Sequence, residues 1–293
     1  MKLLESLRIR ASSRLRREKA QFGIGDRPAR LDIRLDDFDA PAPVSGTPLR
    51  VDQWQERIVE VLQWVGPLPV RITASAAHAF LPDIVRFCHR LEMPVTVRTG
   101  SAGLDVARAE ELVDRGMARC ELVVSELGGG EEAAVRALIH ARHSRAAPLD
   151  VHLHLALAEG NAAHVKHVFP KARALGVDSV VLCAPWQGAA WSAGAGAGIG
   201  EALGEGWPLQ GTSSVAREAL ERMDGGGPGG LRSGGHCALG GLRLALAPDG
   251  MANICPFKPG STAGPLAESG RALSDHRKAI RSCGRVCGHP ELV

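Results

Sequence analysis

The sequence predicts an α/β protein with a small C-terminal module rich in cysteine. Three observations support this fold class. Short apolar runs alternate with helical stretches six times between residues 30 and 185. A glycine-rich segment, "DGGGPGGLRSGG" at residues 224–235, then interrupts the chain. Four of the seven cysteines fall in the 57 residues that begin at Cys237.

Each repeat is predicted as a strand followed by a helix, and the sixth ends on its strand. The predicted strands cover residues 30–35, 68–74, 93–99, 119–125, 149–157 and 178–185. The predicted helices between them cover residues 51–65, 81–92, 105–117, 131–144 and 161–176. Because strands that alternate with such helices pair in parallel through right-handed crossovers, the pattern predicts a partial (β/α) barrel or an open doubly wound sheet.

The chain divides into four predicted segments. Residues 1–27 form a basic helical extension, 28–224 the α/β domain, 225–235 a flexible linker and 236–293 the cysteine module. The extension has seven basic residues among its first nineteen and a leucine stripe, which predicts an amphipathic helix. Two interpretations stay open for it, a solvated helix on the protein body and a segment that docks on a partner or a membrane surface.

Composition narrows the class of protein. With 45% apolar and 23% charged residues the chain is typical of a soluble globular protein, and a formal charge of +3 is too small to indicate nucleic-acid binding. No apolar run approaches the roughly 18 residues of a transmembrane helix, and the N-terminus lacks the apolar block of a signal peptide. We therefore predict a cytoplasmic protein, in which clustered cysteines favour a metal over disulfides.

The C-terminal cysteines have the spacing of a four-thiolate site. Seventeen residues separate Cys237 from Cys255, twenty-seven separate Cys255 from Cys283, and three separate Cys283 from Cys287. Thiolates suit an iron–sulfur cluster or zinc, and four complete either site. Zinc sites more often use pairs of cysteines with two residues between them, so the spacing favours a cluster. Zinc and unliganded thiols remain the alternatives.

The module resembles a known family. The stretch "CALGGLRLALAPDGMANICPF", followed by "GPLAE" and a terminal "CGRVC", resembles the SPASM/twitch-type C-terminal extension of radical S-adenosylmethionine proteins. In that extension a cysteine precedes a hairpin with an Asp-Gly turn, and a second cysteine follows the glycine by five positions, as Cys255 follows Gly250. The resemblance implies one auxiliary [4Fe–4S] cluster held by Cys237, Cys255, Cys283 and Cys287.

The α/β domain resembles the barrel of the same family over roughly residues 28–185. The segments "VRITASAAHAFLPDIVRF", "VTVRTGSAGLD" and "RCELVVSELGG" are similar in order and pattern to the family's second, third and fourth strands with the loops that follow them. The resemblance therefore implies a partial (β/α)6 barrel with a small C-terminal iron–sulfur-binding module.

The catalytic motif of the family is missing. Its members carry three cysteines, spaced C-x3-C-x2-C, after the first strand, and these hold the cluster that binds S-adenosylmethionine. Here the corresponding segment, "RLDDFDAPAPVSGTPL" at 34–49, has no cysteine, and the family's Gly-Gly-Glu segment is replaced by Ala74, Ser75 and Ala76. We therefore expect that the protein does not cleave S-adenosylmethionine and that this cofactor is not used.

Two other sets of residues are candidates for a metal site. Asp36, Asp37 and Asp39 follow the first strand, where barrels place their active sites; they predict either a hard cation such as magnesium or, more simply, solvated loop acids that cap nearby helix ends. His152 and His154 share a face of the fifth strand, which suits zinc or, more commonly, hydrogen-bonded core histidines.

Further residues are weaker candidates for a functional site. His164 and His167 lie three apart on the next helix, and His78 lies in the altered second loop. Cys88, Cys120 and Cys183 are predicted to be small buried side chains, because their neighbours are apolar.

Retained cluster ligands beside lost catalytic ligands predict a radical-S-adenosylmethionine-like protein that binds a peptide or protein substrate, or pairs with an active relative, and assists substrate presentation or electron transfer. Two alternatives stay open. One is a metal-dependent enzyme that reuses the barrel mouth, and the other is an interaction module stapled by zinc.

Overall fold

The structure, a computed structural model, describes residues 30–38, 46–156, 165–183 and 243–253. Within these ranges the chain forms two compact units. The first contains 30–98, 114–118 and 243–253, and the second contains 99–113 and 119–183. The predicted N-terminal helix, the linker at 225–235 and the four C-terminal cysteines lie outside the described residues.

Strands and helices alternate through both units. The strands are β1 (Arg30–Arg34), β2 (Val70–Thr73), β3 (Val95–Gly100), β4 (Met117–Val124), β5 (Asp150–Ala156), β6 (Ser179–Cys183), β7 (Arg243–Leu246) and β8 (Ala252–Asn253). The helices are α1 (Val51–Val65), α2 (Leu81–Arg90), α3 (Val106–Asp114), α4 (Gly129–Ser144) and α5 (Val165–Leu175). No described helix is both long and apolar enough to cross a membrane.

The sheet order is β6-β5-β4-β3-β2-β1-β7-β8. The strands pair in parallel between β1 and β2, β2 and β3, β4 and β5, and β5 and β6. Since β1 to β6 follow one another in chain order, right-handed crossovers place their helices on one face of the sheet. The predicted α/β class and the six-stranded plan of a partial (β/α)6 barrel are confirmed.

Alternation along the strands separates the two faces in the first unit. Leu31, Ile33, Val70 and Ile72 are at most 1% exposed and occupy paired register positions on what we call the helix face. Helix α1 contributes a buried stripe at helical spacing, made of Trp54, Ile58, Val61 and Leu62. The intervening strand residues lie on the opposite face, which we call the polar face.

The second unit repeats this arrangement. Leu122 pairs with Leu153, Val124 with Leu155, and Leu153 with Val180, and all are at most 2% exposed. Helix α4 buries Val135, Leu138 and Ala141. The apolar core therefore comes from the same alternating pattern that predicted the strands, and the polar residues between these positions lie on the polar face.

One helix end differs from the prediction. The predicted third helix runs to residue 117, whereas α3 ends at Asp114 and β4 begins at Met117. Gly116, between them, has φ of +103°, a conformation that side-chain-bearing residues rarely adopt. The glycine thus ends the helical stretch and turns the chain into β4.

The predicted hairpin is present and has an additional partner. Strands β7 and β8 pair antiparallel, and β7 also pairs in parallel with β1, which the sequence did not indicate. This pairing extends the apolar core, because Leu244 and Leu246 are buried and stand beside Leu31 and Ile33 in register. The hairpin therefore extends the sheet of the first unit.

The turn of this hairpin depends on Gly250. Its N–H donates to the Ala247 carbonyl at 2.8 Å, and its φ is +76°, as in a type I turn followed by a glycine bulge. The Asp249 Oδ1 atom accepts the Met251 N–H at 3.0 Å. Leu49 donates its N–H to the Pro248 carbonyl at 2.9 Å and so fastens the turn to the start of α1.

We predict that Gly250→Ala destabilises the first unit. The left-handed backbone costs about 1–2 kcal/mol for a non-glycine residue, and the new Cβ would stand 2.6 Å from Leu49 Cδ1. Urea unfolding should show the loss. Gly130→Ala is the matched control, because a Cβ on this glycine of α4 has no neighbour within 4 Å. Equal stability of the two variants would show that the turn geometry is unimportant.

Candidate functional site

The polar face of the second unit joins residues from three adjacent strands. In register, Glu121 of β4 stands beside His152 of β5, which stands beside Ser179 of β6. His154 follows two residues along β5, so the predicted sharing of a face by the two histidines is confirmed. Its Nε2 atom lies 3.7 Å from Glu121 Oε2, and both side chains are at most 10% exposed.

The surroundings of His152 disfavour its charged form, and those of Ser179 disfavour a polar side chain. Burial, and then the positive charge of Arg119, lower the pKa of His152 below its usual value, so burial favours the neutral imidazole. Ser179 is only 1% exposed, and its Oγ atom has no hydrogen-bond partner among the described residues. Such a hydroxyl costs free energy.

The loop after β1 is tied to the loop after β2 by one carboxylate. Asp36 Oδ1 accepts the Phe38 N–H at 2.9 Å, and Asp36 Oδ2 accepts the Ser75 N–H at 2.9 Å. Both oxygens thus accept from loop backbone, so Asp36 neither caps a helix end, as one prediction had it, nor directs a free oxygen to a magnesium ion. Asp37 is exposed, and Asp39 lies outside the described residues.

The altered segment after β2 is packed. Ala74 and Ala76 are fully buried, and Ala74 donates its N–H to the Arg98 carbonyl at 3.1 Å. His78 Nδ1 accepts the Phe80 N–H at 3.3 Å, and the two rings meet edge to face with centroids 5.5 Å apart. His78 therefore has a structural role in this turn.

The remaining predicted residues divide into buried thiols and positions outside the description. Cys88 and Cys120 are buried as predicted; burial raises the pKa of the Cys88 thiol to about 12 and raises the pKa of Cys120 still more. Neither thiol is therefore a ready ligand or nucleophile. Cys183 lies in β6, His167 is exposed on α5, and His164 lies outside the described residues.

In the described part of the chain no group of three or more histidine, cysteine, aspartate or glutamate side chains could hold a metal ion. This includes the His152 and His154 pair with Glu121. The proposed ligands Cys237, Cys255, Cys283 and Cys287 all lie outside the described ranges, so that ligand set stays a prediction. The described hairpin ends two residues before Cys255.

Two polar groups were missed from the sequence. Glu121 had no spacing that linked it to His154, because it lies on another strand. Asp32 lies between two arginines on the polar face of the first unit, with Arg30 Nε at 2.7 Å and Arg71 Nη2 at 3.1 Å. The period of two in "RLDIR" and "VRIT" indicates a shared face, but only the register of β1 with β2 joins the two strands.

Comparison with known proteins identifies solved structures with a similar fold. No protein-family model matches the chain, and no curated protein matches it. Among solved structures, Streptococcus suis SuiB bound to S-adenosylmethionine superposes with a TM-score of 0.58 at 10% identity, over 82% of this chain and 62% of SuiB. SuiB bound to its precursor peptide SuiA gives 0.55 at 11% identity, over 83% and 63%.

The chain has the fold of SuiB. At 10–11% identity this likeness shows the fold alone. The chain spans less than two thirds of the length of these SuiB chains.

We predict that Asp36→Ala destabilises the protein by about 1–3 kcal/mol, because two backbone N–H groups lose their acceptor. Urea unfolding measures the loss, and Asp37→Ala, which removes an exposed neighbouring carboxylate, should cost about 0.5 kcal/mol or less. Millimolar Mg²⁺ should leave the wild-type midpoint unchanged. A midpoint raised by Mg²⁺ in the wild type and not in Asp36→Ala would instead support a cation site.

We also predict a stability loss on acidification that depends on His152. Its folded pKa lies below the unfolded value of about 6.5, so the unfolded chain binds more protons in the window below 6.5. The contribution is complete above pH 6.5 and is lost as the pH falls. Urea midpoints at pH 5, 6 and 7 should fall less for His152→Gln than for wild type. His167→Gln, on an exposed site, should follow wild type; identical slopes for all three proteins would refute the role of His152.

Proposed function

We propose that this protein is a radical-S-adenosylmethionine-like protein that does not cleave S-adenosylmethionine, binds one auxiliary [4Fe–4S] cluster through Cys237, Cys255, Cys283 and Cys287, and acts in binding a peptide substrate or partner. The observation that carries the proposal is the combination of the SuiB fold with a first loop that has no cysteine. The fold provides the scaffold, and the sequence lacks the thiolates that start the chemistry.

The residues present at the first loop do not fit a catalytic cluster. A cluster with an open iron position needs soft thiolate ligands, whereas this loop offers Asp36, whose two oxygens already accept backbone N–H groups. The loop after β2 is filled by buried alanines at 74 and 76. No step of the proposed function therefore passes through S-adenosylmethionine.

Three features support the auxiliary cluster. Four cysteines have the number that a cluster needs, their spacing resembles the SPASM/twitch pattern, and the Asp-Gly hairpin expected ahead of Cys255 is present with Gly250 in its turn. Lys278, Arg281 and Arg285 lie near the last two cysteines in sequence and would offset the negative charge of the cluster.

A peptide partner is the proposed ligand class because SuiB is observed with its precursor peptide SuiA on the same fold. A chain that keeps this scaffold without the catalytic thiolates is suited to holding a peptide for another enzyme. Pairing with an active relative is the form of partnership that this division of roles requires.

We predict that anaerobically purified protein is brown and carries about four irons and four sulfides per chain, as a single [4Fe–4S] cluster requires. Cys237→Ser and Cys255→Ser should lower the iron content, because each removes a thiolate ligand. Cys88→Ala is the matched control, since Cys88 is fully buried and outside the proposed set. Iron and sulfide analysis with the ultraviolet–visible spectrum measures the result.

Three outcomes would contradict the proposal. Zinc in place of iron and sulfide would indicate the zinc-stapled module, and iron unchanged by Cys237→Ser would show that the ligand set is wrong. The same preparation, incubated with S-adenosylmethionine and dithionite, should release no 5′-deoxyadenosine. Its release would show that the protein cleaves the cofactor after all.

A further inference from the structure

The polar face of the first unit carries a row of residues that the proposed function does not use. Arg34 of β1 pairs in register with Thr73 of β2, which pairs with Arg98 of β3. We call these three residues the arginine row. Arg34 and Thr73 are the last residues of their strands, and Arg98 stands two residues before the end of β3. The row thus lies at the carboxyl ends of the strands, where α/β sheets bind ligands.

The row is buried although it is polar. Arg98 is 6% exposed and Thr73 is 8% exposed, while Arg34 is half-buried. Two residues earlier along the strands, Arg71 is 7% exposed and pairs with Asp32. Burial of several guanidinium groups is costly unless anionic partners compensate their charge. This cost indicates that the row has a functional role.

Cations exceed carboxylates on this face. Within the described part of the first unit, the strands hold one carboxylate on this face, Asp32, which contacts Arg30 and Arg71. The arginines at register positions of the same face are five: Arg30, Arg34, Arg71, Arg98 and Arg243. Asp36 and Asp37 follow in the loop, and Asp36 directs both oxygens to backbone N–H groups. The five arginines outnumber these carboxylates.

The arginines of the row also have polar partners within the protein. A guanidinium nevertheless offers five N–H donors in a planar fork, so it can contact a protein group and a ligand oxygen together. Neighbouring strands are about 4.8 Å apart, which puts the Cα atoms of Arg34 and Arg98 about 10 Å apart with Thr73 between them. Two guanidinium forks on this spacing would flank a small oxyanion, with the Thr73 hydroxyl as a third donor between them.

We propose that the arginine row binds an oxyanion group of a ligand, a carboxylate or a phosphate. Such a group places its charge where the face has excess positive charge, and its planar or tetrahedral oxygens match the guanidinium donors. None of the residues of the row is among the proposed cluster ligands, so the two proposals are tested independently.

Calorimetric titration of the full chain at constant ionic strength tests the proposal, with succinate and inorganic phosphate as the two anions and succinamide as the uncharged control. We expect saturable binding of at least one anion and none of succinamide. The anion that binds more tightly identifies the oxyanion. Arg34→Gln and Arg98→Gln should each weaken binding about tenfold or more, since each removes a charge-assisted hydrogen bond.

Arg90→Gln is the matched control, because Arg90 is an exposed arginine at the end of α2; its affinity should stay within about twofold of wild type, as for a surface charge outside the site. If Arg98→Gln fails to fold, Arg34→Lys keeps the charge, loses the fork and should still weaken binding. Absence of saturable binding by both anions, or an equal loss in Arg90→Gln, would overturn the proposal. Retained binding in Cys237→Ser would separate this site from the cluster.

Discussion

The alternation of side chains along the parallel strands is the constraint on which both units depend. Each pairing in register carries the alternation to the next strand, so one apolar residue on the helix face commits its neighbours to that face. Leu31 stands beside Val70 in register, and Val70 stands beside Val95, so all three lie on the helix face. A slip of one residue would place Asp32 and Arg71 against the helices. The buried charges of the polar face are therefore a consequence of the same register that builds the core.

The same constraint explains how the hairpin joins the sheet. Strand β7 has only four residues, and such a short strand gains little from its own pairing with β8. Beside β1, Leu244 and Leu246 extend the apolar row of the helix face, which would otherwise end at β1. The fit needs no special sequence motif, because any strand with leucines in the right phase meets the requirement. Thus the segment before Cys255 is part of the first unit.

The fold class and most element positions could be predicted because they depend on local periodicity. The first five strands and the helices α1, α2 and α4 match their predicted ranges within a few residues, and the end of α3 differs because Gly116 acts through backbone conformation. The candidate site was less predictable. Asp36 and Ser75 are thirty-nine residues apart, and Glu121 and His154 lie on different strands, so no spacing in the sequence connects them. Register with a neighbouring strand, which the sequence leaves open, decides these contacts.

The loop after β1 joins these observations. A loop that holds an iron–sulfur cluster needs thiolates that remain available to iron. Asp36 does the opposite, because its short side chain turns back and satisfies two backbone donors from two loops. Ala74 and Ala76 fill the adjoining space with side chains that carry no polar atom. The segment has thereby become part of the packing of the first unit. A cluster at this loop would require both loops to change, because Asp36 joins them through its two hydrogen bonds and Ala74 and Ala76 fill the space beside it.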